Sequence, residues 1–283
     1  MTLPPDPAMT APVRVLVLGA SGRLGRLLRA GWRGRFDVAP LWQYRGNAPD
    51  GGPEAGVIWD PLAAPVPDLG AVDAVLGLAG VVAGDAAALA RNTDLARAAC
   101  AAGAALGARC VLLTSTAAIH GAGGPHPETA PAAPRTDYAR AKHAMERAVA
   151  GMPGCTVLRI GNVVGADMLA GAAARGVVTL DRFANGRGPR RSYIGPGAFA
   201  DVLAGLVARA AAGAALPGVV NLAAPGPVAM EALLAAAGHD WRWRPAPETA
   251  LPELTLDVTR LGGLVALAPA DPAAMVAEWR RLA

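Results

Sequence analysis

The segment Val13-Arg-Val-Leu-Val-Leu18 runs without interruption into Gly19-Ala-Ser-Gly22-Arg-Leu-Gly25 and then Arg26-Leu-Leu-Arg-Ala30. Its first six residues are an apolar, partly β-branched run of strand length, suited to a parallel strand covered on both faces. In the continuation Leu24, Leu27 and Leu28 share one helical face, while Arg23, Arg26 and Arg29 fall on the other. Strand, glycine turn and helix in that order make the opening unit of a parallel α/β sheet. The glycines let the backbone come close to a ligand, and the helix start offers free N–H groups and a positive dipole end. Gly19, Ser21, Gly22, Arg23, Leu24 and Gly25 therefore form a cradle for a pyrophosphate, the alternative being a plain tight turn. Arginines in a first turn oppose the helix dipole. Arg23 is either compensated by an anion, such as the 2′-phosphate of NADP, or is a solvated side chain on the polar face.

The rest of the chain repeats the alternation. Strands are expected at Phe36 to Gln43, Val57 to Asp60, Ala71 to Leu78, Cys110 to Thr116 and Gly154 to Ile160, with a long alanine-rich helix from Ala86 to Leu106. This pattern predicts a doubly wound parallel sheet with helices on both faces and a ligand at its strand ends. An NAD site places an acid about 20 residues past the glycines to hold the ribose. Between Val38 and Pro49 there is no acid, but Gln43, Tyr44 and Arg45 are present. NADP is therefore favoured over NAD, with Arg45 on the phosphate. Asp60 either accepts from an adenine amino group or caps a turn ahead of Pro61. Leu78-Ala79-Gly80 ends its strand in small residues that a cofactor could pass closely. The Pro/Gly-rich stretch from Asn47 to Gly56 reads as loop.

Lys142 is the single lysine among 26 lysines and arginines, and it follows Tyr138 by four residues. At that spacing on a helix the phenol and the ammonium share a face. A nearby cation favours phenolate and lowers the tyrosine pKa. Pro131, Pro134, Thr136 and Asp137 punctuate and cap such a helix, and Gly151-Met-Pro153 stops it. A bare Tyr-x-x-x-Lys is usually surface decoration; here it follows a strand ending in Thr114-Ser115-Thr116, so the pair and Thr116 would face one crevice.

Beyond Gly165 the pattern loosens. Arg182, Arg187, Arg190 and Arg191 lie among glycines, as an anion-binding loop or a solvated one. Helices are expected at Phe199 to Ala212, Val228 to Gly238 and Met275 to Leu282, a strand at Val219 to Leu222, and an edge strand at Trp241 to Arg244. Residues 1–12 read as a flexible leader without the charged and apolar regions of a signal peptide. No apolar run is long enough for a membrane span. Cys100, Cys110 and Cys155 are odd in number and lack CxxC spacing, so mostly buried free thiols and a cytoplasmic setting are expected. The net charge of +4 is modest and the arginines are dispersed, which gives nucleic-acid binding no support. No metal-ligand spacing stands out.

Gly19-x-x-Gly22-x-x-Gly25, Asp60, Leu78-Ala-Gly80, Asn92, Ser115-Thr116, Tyr138-x-x-x-Lys142 and Leu158-Arg-x-x-Asn162 occur in the order found in extended short-chain dehydrogenase/reductases. The chain resembles their NAD(P)-dependent epimerase/dehydratase branch from about Val13 to Gly165, and more weakly to Leu261. The resemblance implies a Rossmann-type core at 13–165, and at 166–283 a smaller substrate-binding lobe interleaved with the last strands of the core. It implies that Tyr138 is the acid/base, that Lys142 lowers its pKa and holds the nicotinamide ribose, and that Thr116 hydrogen-bonds the reacting oxygen. Ser115 is the neighbouring candidate, while Asn162 and Arg191 match positions on the phosphate side of sugar-nucleotide substrates. Relatives often form homodimers through the face that includes the Tyr–Lys helix.

Three departures bear on substrate. Ala117-Ala118 replaces the acidic pair used for water elimination, which argues against dehydration. His120 stands for an aromatic, and Gly195-Pro-Gly-Ala198 replaces a His-Val-x-Asp-like segment. The expected activity is that of an oxidoreductase at a hydroxyl or carbonyl carbon of a small molecule, with sugar or sugar-nucleotide epimerisation through a transient ketone as the variant. A non-catalytic NADP-binding regulator is the third reading; retention of both Tyr138 and Lys142 weighs against it.

Overall fold

The computed structural model describes residues 11–46, 56–174 and 176–282. Most of the expected leader and of the Asn47–Gly56 loop lies outside them. Apart from the added strand β6, the first half alternates as the sequence predicts: β1 (Val13–Leu18), α1 (Arg23–Trp32), β2 (Val38–Tyr44), β3 (Gly56–Ile58), β4 (Ala74–Gly77), α2 (Ala86–Ala105), β5 (Cys110–Thr116), β6 (Gly123–His126), α3 (Asp137–Val149) and β7 (Cys155–Ile160). The second half adds β8 (Asn162–Val163), α4 (Met168–Ala173), β9 (Val178–Arg182), β10 (Arg190–Ile194), α5 (Pro196–Ala211), β11 (Val219–Leu222), β12 (Pro227–Ala229), α6 (Met230–Ala236), β13 (Trp241–Pro245), β14 (Glu253–Leu256), α7 (Thr259–Gly262) and α8 (Pro272–Leu282).

Seven strands form one parallel sheet in the order β11-β7-β5-β4-β1-β2-β3. This is the Rossmann-type arrangement. Its two faces follow from the two-residue period of a strand. Val15 and Val17 point into a core shared with Leu27, Leu28 and Trp32 of α1 and Phe199, Leu203 and Leu206 of α5. Leu16 and Leu18 point the opposite way, against Ala96, Ala99 and Ala102 of α2 and Met145 and Val149 of α3. Trp32 also donates its indole N–H to the Ala200 carbonyl at 2.9 Å, which ties α1 to α5. Complete burial of a leucine side chain contributes about 1.5–3 kcal/mol, so this double layer supplies much of the stability.

The later residues enter this core and also form a second body. β11 closes the edge of the main sheet and α5 covers one face. The strand order β12-β10-β14-β6 forms a separate sheet, with β8 joined to β10, while β9 and β13 pair alone. The sequence pattern had not indicated this second sheet. Its strands are short, one of them reading Gly-Gly-Pro-His, and β6 finds its partner β14 about 130 residues away. Trp241 to Arg244 is a strand, as expected. The Arg182 to Arg191 stretch is not a free loop: β9 and β10 hold its two ends. Cys110 is buried, but Cys100 and Cys155 are only partly so, which corrects the expectation of mostly buried thiols. No helix among the described residues is long and apolar enough to cross a membrane.

Candidate active site

The C-terminal ends of the central strands open into a cleft of about 840 Å³. On its β1–β3 side stands the glycine turn. Gly19 has φ +90°, and a Cβ there would lie 2.7 Å from the Ala79 backbone nitrogen. Gly25 serves packing instead: a Cβ on it would lie 2.3 Å from the Gly19 carbonyl oxygen. Ser21, Gly22, Arg23 and Leu24 line the cleft; Gly25 sits behind them. The start of α1 has neither a side-chain cap nor an acid in its first turn, so its N–H groups remain available. Gln43 lines the cleft where an acid would be looked for on β2. Its side-chain oxygen accepts the Gly19 N–H at 2.9 Å and its amide nitrogen donates to the Trp59 carbonyl, bracing the turn. Arg45 lines the same end. Asp60 does so too, and its Oδ1 accepts the Leu62 N–H at 3.0 Å, so it both caps a turn and faces the cleft.

Leu78, Ala79 and Gly80 form the floor. A Cβ on Gly80 would meet Asn92 Oδ1 at 3.1 Å and Lys142 Nζ at 3.3 Å. Asn92 is fully buried in α2 and holds this segment, its oxygen accepting the Val81 N–H at 3.1 Å and its amide donating to the Val81 carbonyl at 2.9 Å.

At the other end, β5 and α3 bring Ser115, Thr116, Tyr138 and Lys142 to the same wall. Thr136 caps α3 by accepting the Ala139 N–H at 3.2 Å. The first turn of this helix carries Tyr138 at the cleft, and the next carries Lys142. Lys142 is buried and donates to the Thr114 carbonyl at 2.9 Å. Burial depresses its pKa to about 8, against a smaller upward pull from Glu146. Burial pushes the Tyr138 phenol up; Arg23 and the Thr116 hydroxyl act in the opposite direction. Arg23 lines the same cleft as Tyr138 and Lys142. The Thr114 carbonyl holds the Lys142 ammonium at the end of β5. Thr116 also caps the short turn after β5 by accepting the Ala118 N–H at 3.2 Å. Ser115 is buried, with no hydrogen-bond partner for its hydroxyl among the described residues.

A family model for the NAD dependent epimerase/dehydratase family matches residues 15–198. The chain belongs to that family. Its membership makes it an enzyme of the short-chain dehydrogenase/reductase type, dependent on NAD(P). Three solved structures are similar to it. The NAD dependent NDP-hexosamine 5,6-dehydratase TunA, involved in tunicamycin biosynthesis, is 20% identical, with TM-score 0.74 and coverage of 94% of this chain and 97% of its own. The UDP-glucose-4-epimerase of Stenotrophomonas maltophila is 17% identical, with TM-score 0.78 and coverage of 95% and 98%. The UDP-N-acetylglucosamine 4-epimerase of Methanobrevibacter ruminantium M1 is 17% identical, with TM-score 0.73 and coverage of 97% in both directions. At these identities they speak for the fold. No curated protein sequence matches significantly.

In this epimerase/dehydratase-family chain most of the residues singled out from sequence converge on one cleft, and Asn162 is among them. Arg191 does not line it. Its guanidinium donates to the Arg190 carbonyl at 2.7 Å and the Leu251 carbonyl at 2.9 Å, inside the second sheet. Arg182 lies over the Trp243 ring at 6.0 Å, beside a separate surface groove. Sequence reasoning missed Gln43 as a turn brace and Asp167 as a cleft residue. Asp167 stands five residues past Asn162, a spacing that announces nothing by itself. Also missed was the buried assembly behind Tyr138. Arg159 donates to Glu146 at 2.8 Å and to the Glu128 carbonyl at 2.8 Å, with His120 Nε2 at 3.4 Å. Burial and Arg159 drive the His120 pKa down to about 4.

Proposed function

We propose that this protein is an NAD(P)-dependent oxidoreductase acting at a hydroxyl or carbonyl carbon of a small molecule, with Tyr138 as the acid/base. The observation that carries this reading is the meeting of the Tyr138 phenol, the Thr116 hydroxyl and Lys142 in the cleft that also contains the glycine turn. The residues fit a dinucleotide: Gly22 and the uncapped start of α1 for the pyrophosphate, Asp60 and Arg45 at the adenosine end, and the bare Gly80 and Lys142 beside the nicotinamide ribose. Bound there, a nicotinamide supplies hydride chemistry. The protein's own part is proton transfer. Tyr138 gives its proton to a carbonyl oxygen, or takes one from a hydroxyl, while Thr116 hydrogen-bonds the same oxygen. Lys142, anchored by Thr114, remains largely charged at pH 7 with a pKa of about 8, and so stabilises the phenolate as it forms.

Among cofactors the reading takes NADP(H). Gln43 replaces the ribose-binding acid, and Arg45 offers a cation at that end. Arg45→Ala is expected to weaken NADPH binding about ten-fold or more and to leave NADH nearly unchanged, by fluorescence titration. Equal or better NADH affinity in the unaltered chain would overturn the preference.

A second reading is favoured by the neighbours, two of which are named as UDP-sugar 4-epimerases: epimerisation of a sugar, in which no net oxidation occurs. A substrate panel with the cofactor present separates the two. A reductase consumes NADPH stoichiometrically with a carbonyl substrate, whereas an epimerase interconverts sugars with little net absorbance change. Absence of turnover of either kind across carbonyl and sugar panels would remove both readings in favour of a cofactor-binding regulator.

A further inference from the structure

Asp167 follows β8 and faces the cleft from the β5–β7 side, opposite the adenosine end, with Asn162, Ala166 and Val163 as neighbours on that wall. Its carboxylate is embedded in donors. Oδ2 accepts the Tyr193 hydroxyl at 3.0 Å and approaches the Asn162 amide nitrogen at 3.4 Å; Oδ1 accepts the Ala170 N–H at 3.1 Å. No cation pairs with Asp167 among the described residues. Arg191, two residues before Tyr193, spends both terminal nitrogens on the carbonyls of Arg190 and Leu251. The two groups that the family resemblance would set on a substrate phosphate are thus otherwise engaged: Asn162 turns its amide toward Asp167, and Arg191 turns away.

We propose that Asp167 is a specificity-determining residue that makes this end of the cleft a site for a hydroxyl- or amine-bearing substrate group and excludes a phosphate or other anion there. The inference rests on the functional reading above in taking the cleft as the substrate site. The physical argument is charge and satisfaction. An anion placed against a carboxylate that no side-chain cation pairs with among the described residues is repelled by it, whereas a hydroxyl or ammonium is attracted. Burial already disfavours the ionised form of Asp167, and its four donors, the Ala170 and Leu169 N–H groups, the Tyr193 hydroxyl and the Asn162 amide, act against that. A hydroxyl or ammonium group adds one more donor to the same carboxylate and lowers the cost of its ionisation. The residue thereby selects by repelling one class as well as by attracting the other.

The test reads binding and needs no turnover. The full chain, saturated with NADPH or NADH, is titrated with uridine and with UDP, which differ by the diphosphate. The expected result is that UDP gains less than about ten-fold over uridine; where neither binds the unaltered chain, UDP binding gained in Asp167→Asn supports the proposal and its absence there overturns it. In Asp167→Asn, which keeps one oxygen to accept the Ala170 N–H, sets its amide nitrogen toward the Tyr193 hydroxyl as a donor and removes the charge, UDP affinity rises about ten-fold or more. UDP binding the unaltered chain more than about ten-fold tighter than uridine overturns the proposal, and so does an Asp167→Asn variant whose UDP affinity is unchanged. If the variant does not fold, the comparison in the unaltered chain decides alone. Dinucleotide binding is measured first by nicotinamide fluorescence: its absence overturns the functional reading, while the uridine–UDP ratio still judges Asp167.

Discussion

Tyr138→Phe is expected to lower turnover by about 10²- to 10⁴-fold and to leave dinucleotide affinity within about three-fold of the original, because it removes the group that moves the proton and little else. The phenol lies at the cleft wall with the Thr116 hydroxyl beside it, and its pKa is raised by burial. A raised pKa keeps the phenol protonated at neutral pH, the form needed to donate to a carbonyl oxygen. Lys142 is then required as the phenolate forms, when its charge matters most. The measurement is steady-state kinetics on the substrate found by panel, paired with nicotinamide fluorescence for binding. If the variant turns over as fast as the parent, Tyr138 is not the acid/base and Thr116 or water must carry the proton. Removal of an interaction made only during reaction should reduce kcat and kcat/KM together, with KM little altered.

Glu146→Ala should cost about 3–5 kcal/mol of folding stability, the range for breaking one side of a buried ion pair. Glu146 and Arg159 are 7% and 9% exposed and their charges meet at 2.8 Å. Without Glu146 the Arg159 guanidinium stays inside with, among the described residues, the Glu128 carbonyl and His120 Nε2 for partners, an uncompensated charge in low dielectric. Urea unfolding followed by circular dichroism measures the loss. A decrease below about 1 kcal/mol would show that water reaches Arg159 in the variant. Replacing both partners by apolar residues, Glu146→Leu with Arg159→Met, should recover much of the loss, since the larger penalty comes from the orphaned charge. The same substitution carries a functional signal. Glu146 is the group that holds the Lys142 pKa up against burial, so its removal moves that pKa below about 8. Lys142 then loses its charge at lower pH, and activity should begin to fall at correspondingly lower pH on the alkaline side.

The glycine turn, the strands around it and the Tyr–Lys helix were legible because each is a local pattern. Val13 to Leu18 alternates between two cores with a period of two, and the arginine and leucine rows of α1 follow 3.6. Thr136 was readable as a cap because a cap needs only its own next three residues. The second sheet was hidden for the opposite reason. β6 contains two glycines and a proline, has no apolar face of its own, and becomes a strand by pairing with β14. Arg191 shows the same limit at a single side chain: its position in the sequence suggested a substrate anion, and two carbonyls claimed it.

What the sequence determined by itself is a set of local features: a glycine turn, and a phenol with the single lysine four residues later, set on elements whose order gives one parallel sheet. Chain-local chemistry suffices for that, since a turn, a strand and a capped helix are specified by residues within a few positions of one another. Tertiary structure decided which charges act on which. It turned Lys142 toward the Thr114 carbonyl, brought Arg23 to the same cleft as Tyr138, buried Glu146 with Arg159, and brought Asp167 into the cleft while drawing Arg191 out of it. Electrostatic interaction depends on distance and burial, and neither is written in the spacing along a chain.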